Sequence, residues 1–303
     1  MDPLKGEWGP SGGPQRVPSP PAPPGPELPL PTEVPPAPPL PWGDIEHLLP
    51  SSLSILLPAL NEERGVEDVL KRIPPSMLRC KGLAYSVYLI DGRSTDRTQA
   101  IAAQLGAGVF VQTGRGKGSA LREFVPTIKE DLTLFMDSDG TYPPEAIPDL
   151  VGVLGPETPV VLGSRFRGLI DMGAMSSANY LGNRFLSWLA SRLFATPVSD
   201  VCTGMWGFVS DELKSLGLTA SGFELEADIF GECALRRIPI VEVPIRYQRR
   251  IGEPKLHLRE GVRIAFALLK KRIRSSAVPP AEKRTPQTPS NERTWRSRTT
   301  PSR

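Results

Sequence analysis

The chain has 303 residues and a formal net charge of only +3 at neutral pH, with much of the basic excess in its C-terminal part. Its basic residues are not interleaved with aromatic side chains, which disfavours a nucleic-acid partner. Three scattered cysteines and two histidines fit neither a disulfide framework nor a zinc site, so we expect a reducing, cytoplasmic environment.

The composition divides the chain into four predicted segments. Proline dominates residues 1–50, which predicts a disordered or polyproline II arm, and the basic residues 276–303 predict a disordered tail. Residues 51–257 are long enough for one α/β domain, and residues 258–275 form an amphipathic helix. No apolar run reaches the roughly 18 to 20 residues that span a bilayer, and the N-terminus lacks a signal-peptide pattern. We therefore expect a protein that neither spans a membrane nor is exported.

Apolar runs alternate with helical patterns in the first half of the central segment. The predicted strands are 53–57, 86–90, 109–111 and 132–136, and the predicted helices are 66–73, 94–105 and 119–128. This alternation indicates a mostly parallel, Rossmann-like α/β sheet flanked by helices. Polar residues follow the strands at the ends where such sheets bind ligands.

The regular alternation of predicted strands and helices ends after residue 149. Further strands are predicted at 160–163, 205–209 and 240–245, and helices at 183–194 and 226–237. Pro244 predicts that the last strand is an edge strand or ends there.

Asp137 and Asp139 directly follow the strand 132–136 and precede Gly140. Gly140 frees the backbone to turn, so both carboxylates project toward one point. Two hard oxygen ligands, completed by diphosphate oxygens and water, suit Mg²⁺ or Mn²⁺. An isolated Asp-x-Asp also occurs as a solvated turn with a helix-capping aspartate, so the pair alone leaves both interpretations open.

Other motifs accompany this pair along the chain. They are Pro-x-x-Asn-Glu at 58–62, Asp-Gly-Arg-Ser-Thr-Asp at 91–96, Gly-Arg-Gly-Lys-Gly at 114–118, Gly-Ser-Arg at 163–165, Asp-x-x-Thr-Gly at 200–204, an acidic segment at 222–228, and a final segment at 242–256. The turn at 114–118 is not a Walker A loop, because no Ser or Thr follows Lys117. In this order the motifs resemble the GT-A fold of family 2 glycosyltransferases, in the branch of dolichyl-phosphate mannose synthase and polyprenyl-phosphate glucosyltransferase.

The resemblance implies an inverting transfer of a hexose from a UDP- or GDP-sugar to dolichyl or polyprenyl phosphate. It implies that Asp137 and Asp139 hold Mg²⁺ or Mn²⁺, with Asp137 nearer the ribose. The residues implied to bind the nucleotide-sugar are Pro58, Asn61, Glu62, Asp91, Lys117, Asp137 and Arg165. Arg249 and Lys255 would clamp phosphates during catalysis, and Arg184 would contact the acceptor phosphate, for which a plain helix-surface arginine is the alternative.

A phosphate acceptor is already ionised at neutral pH, so catalysis would depend on positioning and charge and would need no strong general base. Two other functions stay open. One is transfer to a soluble phosphorylated or hydroxylated acceptor, as in glucosyl-3-phosphoglycerate synthase-like enzymes. The other is a non-catalytic sugar-nucleotide-binding module whose proline-rich arm recruits partners.

The predicted helix at 258–275 indicates how the protein reaches a lipid acceptor in the membrane. Its apolar residues, at helical spacing and flanked by basic residues, are Leu258, Val262, Ala265, Phe266, Leu269 and Ile273. This pattern suits a helix lying in an anionic lipid interface, so we expect a peripheral protein at the cytoplasmic face of a membrane. It fits a helix packed on the core equally well.

Overall fold

The computed structural model describes residues 50–252 and 258–277, and in the second range the side chains of residues 260–274 only. The predicted arm and tail therefore lie almost wholly outside the described residues, and Lys255 lies outside them as well. The predicted domain boundaries stay predictions.

One sheet contains the strands of the described residues. They are β1 (Ser52–Ala59), β2 (Ala84–Asp91), β3 (Gly108–Val111), β4 (Leu132–Met136), β5 (Val160–Ile170), β6 (Met205–Val209) and β7 (Ile240–Tyr247). Their order across the sheet is β3-β2-β1-β4-β6-β5-β7. Only the pairs of β6 with β4 and β5 are antiparallel, so the sheet is mostly parallel, as predicted. The other strands all end at the same edge.

Helices cover both faces of this sheet. They are α1 (Glu63–Arg72), α2 (Pro75–Cys80), α3 (Thr98–Gln104), α4 (Lys117–Phe124), α5 (Ile147–Val151), α6 (Ser177–Phe194), α7 (Ser210–Ser215), α8 (Leu225–Arg236) and α9 (Leu258–Ala277). Short 3-10 helices follow α4 at Val125–Thr127 and precede α5 at Pro144–Ala146.

Alternation along β1 explains the two-layered core. Successive strand residues point to opposite faces, so Leu56 packs in one apolar layer and Ile55 and Leu57 pack in the other. The layer containing Leu56 is closed by α4, α6, α8 and α9, and the opposite layer by α1, α2, α3 and α5. A strand buried on both faces has to be continuously apolar, and that is the pattern from which the parallel sheet was predicted.

Several elements differ from their predicted bounds. Helix α2 was not predicted; Pro75 occupies its first helical position, where its fixed φ is favourable. Strand β5 continues to Ile170, and α6 begins at Ser177 after Ser176, whose hydroxyl accepts a hydrogen bond from the Asn179 backbone N–H at 3.2 Å. Pro244 lies in the edge strand β7, as predicted.

Candidate active site

A cavity of about 660 Å³ opens at the carboxyl ends of the strands. Its wall includes Pro58, Glu62, Gln112, Lys117, Asp137, Asp139, Arg165, Glu226, Tyr247 and Arg250. The location follows from the topology, since loops that leave neighbouring parallel strands meet at one edge of the sheet. Most of the predicted site residues are brought together here from motifs up to about 190 positions apart.

The turn after β4 brings Asp137 and Asp139 into one wall of the cavity. Gly140 has a φ of +79°, and Asp139 Oδ1 accepts hydrogen bonds from the Thr141 backbone N–H at 2.9 Å and its hydroxyl at 2.5 Å. Burial raises the pKa of Asp139, and the nearby charge of Asp137 raises it further against the opposing effect of Arg250. The two carboxylates therefore produce a combined negative potential that stabilises a bound cation.

Lys117 lies between two acids. Its Nζ is 2.5 Å from Asp137 Oδ1 and 2.5 Å from Glu226 Oε1. Burial lowers the pKa of Lys117, but the charges of Asp137 and Glu226 outweigh burial and leave that pKa raised, so the amine is cationic. Burial raises the pKa of Glu226, and the charge of Lys117 opposes this increase.

Arg250 forms a similar bridge on the other side of the pair. One terminal nitrogen donates to Asp139 Oδ2 and the other donates to Glu62 Oε1. Neither Arg250 nor Glu226 was predicted from the sequence as a site residue. Both lie inside motifs of the sequence, at 242–256 and 222–228.

The donor set fits Mg²⁺ or Mn²⁺. Among the described residues, no three His, Cys, Asp or Glu side chains are placed to hold a metal, so Asp137 and Asp139 supply a partial shell. Mg²⁺ characteristically binds one or two carboxylates and completes its octahedron with substrate phosphates and water. The residues present therefore suit a cation that arrives with a diphosphate.

Two buried acceptor atoms beside one end of the cavity have no partner among the described residues. Asp91 Oδ2 accepts from the backbone N–H groups of Arg93 and Ser94 and from Gln99 Nε2, at 2.8 to 2.9 Å. Asp91 Oδ1 and the Oε1 atom of Gln112 are buried and have no hydrogen-bond partner among the described residues. Gln112, which the sequence analysis missed, lines the cavity, as do Ile90 and Gly92 on either side of Asp91. Because buried acceptors without partners are costly, this end is prepared for a ligand that donates hydrogen bonds.

Pro58 and Asn61 differ in their relation to the cavity. Pro58 lines it, whereas Asn61 holds the loop after β2. Asn61 has a φ of +51°, its Oδ1 accepts from the Thr95 backbone N–H at 2.8 Å, and its own N–H donates to Ser94 Oγ at 2.8 Å. Its observed contacts position the loop beside Asp91.

Arg165 lines the cavity but directs much of its guanidinium toward Asp200. Its Nε and one terminal nitrogen donate to the two Asp200 oxygens at 2.7 and 2.6 Å, and its backbone N–H donates to the same carboxylate at 2.9 Å. Burial lowers the pKa of Arg165, but Asp200 raises it above the ordinary value. Among the described residues, no hydrogen bond of the other terminal nitrogen is found.

The predicted acceptor-side cations lie elsewhere. Arg184 is exposed on α6, with its guanidinium 5.5 Å from the centre of the Phe166 ring. Arg249 is exposed and donates from Nε to the Met172 carbonyl oxygen at 2.6 Å, whereas its neighbour Arg250 lines the cavity. Sequence alone did not determine which arginine turns inward, because both follow β7 in an irregular segment.

The motifs, sheet order and site point to one family, and a comparison with family models supports the same conclusion. The model described as glycosyl transferase family 2 matches residues 54–216. The chain belongs to this family. Its mostly parallel sheet with helices on both faces is a GT-A-like domain.

Relatives of this family 2 glycosyltransferase include two proteins of Haloferax volcanii. A dolichyl-phosphate hexose transferase is 34% identical over 206 residues, which cover 67% of this chain and 86% of that protein. Glycosyltransferase AglJ is 35% identical over 202 residues, which cover 66% of this chain and 64% of AglJ. The chain thus spans less than two thirds of the length of AglJ.

Solved structures show the same fold. Glucosyl-3-phosphoglycerate synthase from Mycobacterium tuberculosis, crystallised with Mn²⁺, uridine diphosphate and glucosyl-3-phosphoglycerate, gives a TM-score of 0.57 at 24% identity. The match covers 76% of this chain and 82% of that chain. The same enzyme was also crystallised with Mg²⁺ and uridine diphosphate.

Proposed function

We propose that this family 2 enzyme transfers a hexose, with inversion, from a UDP- or GDP-sugar to dolichyl or polyprenyl phosphate at a membrane surface. The observation that carries the proposal is the contrast between the two ends of one cavity. Charged and polar groups around Asp137 and Asp91 suit a nucleotide diphosphate. Apolar residues of α6, a helix with an exposed aromatic face, line the same cavity.

At the nucleotide end, the base is recognised by Asp91 Oδ1 and Gln112 Oε1, which have no hydrogen-bond partner among the described residues. Asp91 Oδ1 accepts an N–H of the base, and the Gln112 amide completes the edge. Glu62 and Pro58 line the wall between this end and Asp139. Uracil and guanine both present a ring N–H on one edge that can donate to Asp91 Oδ1, so both bases fit this end of the cavity.

The apolar residues that α6 contributes to the cavity support a lipid acceptor. The cavity residues of α6 include Ala178, Gly182 and Leu186 beside Asn179 and Asn183, and Ile264 of α9 also lines the cavity. A phosphoglycerate-like acceptor carries a carboxylate and a phosphate, and the apolar residues would add nothing to its binding. A polyprenyl chain beside its phosphate would bury apolar area there.

Helix α6 also presents an apolar face to solvent. Leu181, Phe185 and Trp188 are 68%, 55% and 56% exposed, and their spacing places them on one side of the helix. Arg184 and Arg192 share that side, and α6 contains no acidic residue. Aromatic side chains edged by arginine suit the boundary between lipid headgroups and acyl chains.

Helix α9 packs on the core with one side and exposes apolar residues on another. Ile264 and Leu268 are buried against the core, whereas Val262, Phe266 and Ile273 are more than half exposed. Lys271 pairs with Asp228 and Glu232 of α8 and so holds the helix in place. Its exposed side provides a second apolar surface for peripheral binding at the cytoplasmic face. Among the described residues, no helix is long and apolar enough to cross a bilayer.

Catalysis follows from charge and position. Mg²⁺ or Mn²⁺ held by Asp137 and Asp139 would neutralise the charge that develops on the leaving nucleoside diphosphate. Lys117 and Arg250, already beside these carboxylates, provide further positive charge for the diphosphate oxygens. We assign to Arg250 the phosphate contact predicted for Arg249, and Lys255 keeps its predicted contact with the acceptor phosphate. The ionised acceptor oxygen attacks the anomeric carbon opposite the leaving group, which inverts the configuration.

A panel assay tests the proposal. Labelled UDP-glucose, UDP-N-acetylglucosamine and GDP-mannose are each incubated with polyprenyl phosphate and Mn²⁺, and the label is extracted into organic solvent. We expect label in the lipid from at least one donor and none with Asp139→Asn, which keeps the side-chain volume but removes the charge. A parallel series replaces polyprenyl phosphate with 3-phosphoglycerate and measures label in the aqueous product. Turnover in that series alone would support the soluble-acceptor alternative, and absence of turnover in both would support the non-catalytic module.

A further inference from the structure

The two carboxylates assigned to the metal each form an ion pair with a cation that also binds a second acid. Lys117 joins Asp137 to Glu226, and Arg250 joins Asp139 to Glu62. In both bridges the second acid is about nine-tenths buried. All six side chains line the same cavity.

The charge balance of this group is incomplete. Four carboxylates and two cations leave a formal charge of −2, which one divalent cation would neutralise. Lys117 and Arg250 thus occupy carboxylate oxygens that a metal would need.

The backbone holds the second acid of each bridge in place. Glu226 lies in the first turn of α8, where the helix dipole favours a carboxylate. The turn carrying Lys117 is tied to the loop before α8, since the Ser119 N–H donates to the Ser221 carbonyl oxygen at 3.1 Å. On the other side, the Glu62 N–H donates to Thr98 Oγ1 at 2.9 Å, and the Ile251 N–H donates to the Asp139 carbonyl oxygen at 2.9 Å.

We propose that Lys117 and Arg250 are resident counter-ions, which leave Asp137 and Asp139 when a divalent cation binds and are then retained beside it by Glu226 and Glu62. This inference rests on the proposed metal site at Asp137 and Asp139. Glu226 and Glu62 are positioning residues, because they act through the two cations. Their function is to keep positive charge in the cavity for the diphosphate after the metal has displaced that charge from its first partners.

The arrangement predicts opposite effects for the two members of one bridge. Lys117→Met removes a competitor for Asp137, so the enzyme without nucleotide binds Mn²⁺ more tightly, by roughly tenfold, the scale of one charge-assisted hydrogen bond. Glu226→Gln leaves Asp137 as the only acidic partner of Lys117 among the described residues, so Mn²⁺ binding weakens by a similar factor. In the double variant the Glu226→Gln effect largely disappears, because Glu226 acts through Lys117.

The experiment measures free Mn²⁺ by electron paramagnetic resonance during titration of the full chain without nucleotide. Glu232→Gln is the matched control, since it removes an α8 acid that pairs with Lys271 and does not line the cavity. Arg250→Met and Glu62→Gln repeat the test on the second bridge. Circular dichroism of each variant establishes that it is folded.

The outcomes separate the inference from the proposed function. If the parent and Asp139→Asn bind Mn²⁺ equally, the proposed metal site is wrong. If the parent binds Mn²⁺ and Asp139→Asn does not, the metal site stands. The counter-ion proposal is then overturned if Lys117→Met leaves the affinity unchanged, or if the effects of Lys117→Met and Glu226→Gln simply add in the double variant. Tighter binding by Lys117→Met, weaker binding by Glu226→Gln and strong coupling between them support it.

Discussion

Arg165 and Asp200 form a buried, two-pronged ion pair that joins β5 to the loop before β6. The Arg165 side chain is 6% exposed and that of Asp200 is fully buried. Removing one member of such a pair leaves an uncompensated buried charge. We therefore expect Asp200→Asn to reduce the free energy of unfolding by about 3–5 kcal/mol.

Urea denaturation checks this value. The control is Asp171→Asn, which breaks the exposed pair of Asp171 with Arg246 and should cost about 1 kcal/mol or less. Equal effects of the two substitutions would show that the Arg165 pair contributes no more to stability than a surface pair does.

The acceptors of Asp91 and Gln112 predict base selectivity. Adenine and cytosine present ring-nitrogen acceptors where guanine and uracil present an N–H, and an acceptor atom of the base cannot bond to the acceptor Asp91 Oδ1. UDP or GDP should therefore compete with the donor sugar far better than ADP or CDP. Gln112→Ala should raise the donor KM by roughly tenfold, since one buried hydrogen bond is lost. Inhibition constants for the four diphosphates measure both effects, and equal inhibition by ADP and UDP would contradict this assignment of the base site.

Adjacent arginines after β7 allow a matched comparison. Arg250→Met should lower kcat/KM by about 10²–10³, the cost of losing preorganised charge, because Arg250 lines the cavity beside Asp139. Arg249→Met should change kcat/KM little, since Arg249 is exposed and bonded to Met172. Steady-state kinetics of both variants distinguish the assignments, and a larger loss for Arg249→Met would restore the role predicted from sequence.

The exposed face of α6 predicts salt-sensitive membrane binding. Phe185→Ser and Trp188→Ser should each weaken binding to anionic liposomes by about tenfold, because each removes apolar area that enters the interface. Turnover of a short-chain, water-soluble polyprenyl phosphate should be unchanged. Flotation at two salt concentrations measures the binding. Unaltered binding by both variants, with loss in Phe266→Ser, would transfer the contact to α9.

Local patterns predicted much of the fold and part of the site. Continuous apolar runs such as that of β4 identified buried strands, and the position of Asp137 and Asp139 after β4 predicted where their carboxylates converge. The antiparallel insertion of β6 between β4 and β5 was not predicted, because strand order depends on long-range packing that no local window contains.

The unpredicted site contacts have the same physical origin. Lys117 meets Glu226 from 109 positions away, and Arg250 meets Glu62 from 188 positions away. Such pairs are visible only after the sheet has brought its strand ends together. Gln112 gave no motif signal, since its importance comes from burial beside Asp91.

The most direct test of the proposed lipid acceptor offers both acceptor classes to the enzyme at once. Polyprenyl phosphate in anionic liposomes and 3-phosphoglycerate are supplied at equal concentration with a labelled nucleotide-sugar and Mn²⁺, and the label is partitioned between organic and aqueous phases. We predict that the label enters the organic phase as an inverted glycosyl phosphate and that Asp139→Asn abolishes it. Label confined to an aqueous glycosylated phosphoglycerate would contradict the lipid acceptor while leaving the family assignment intact.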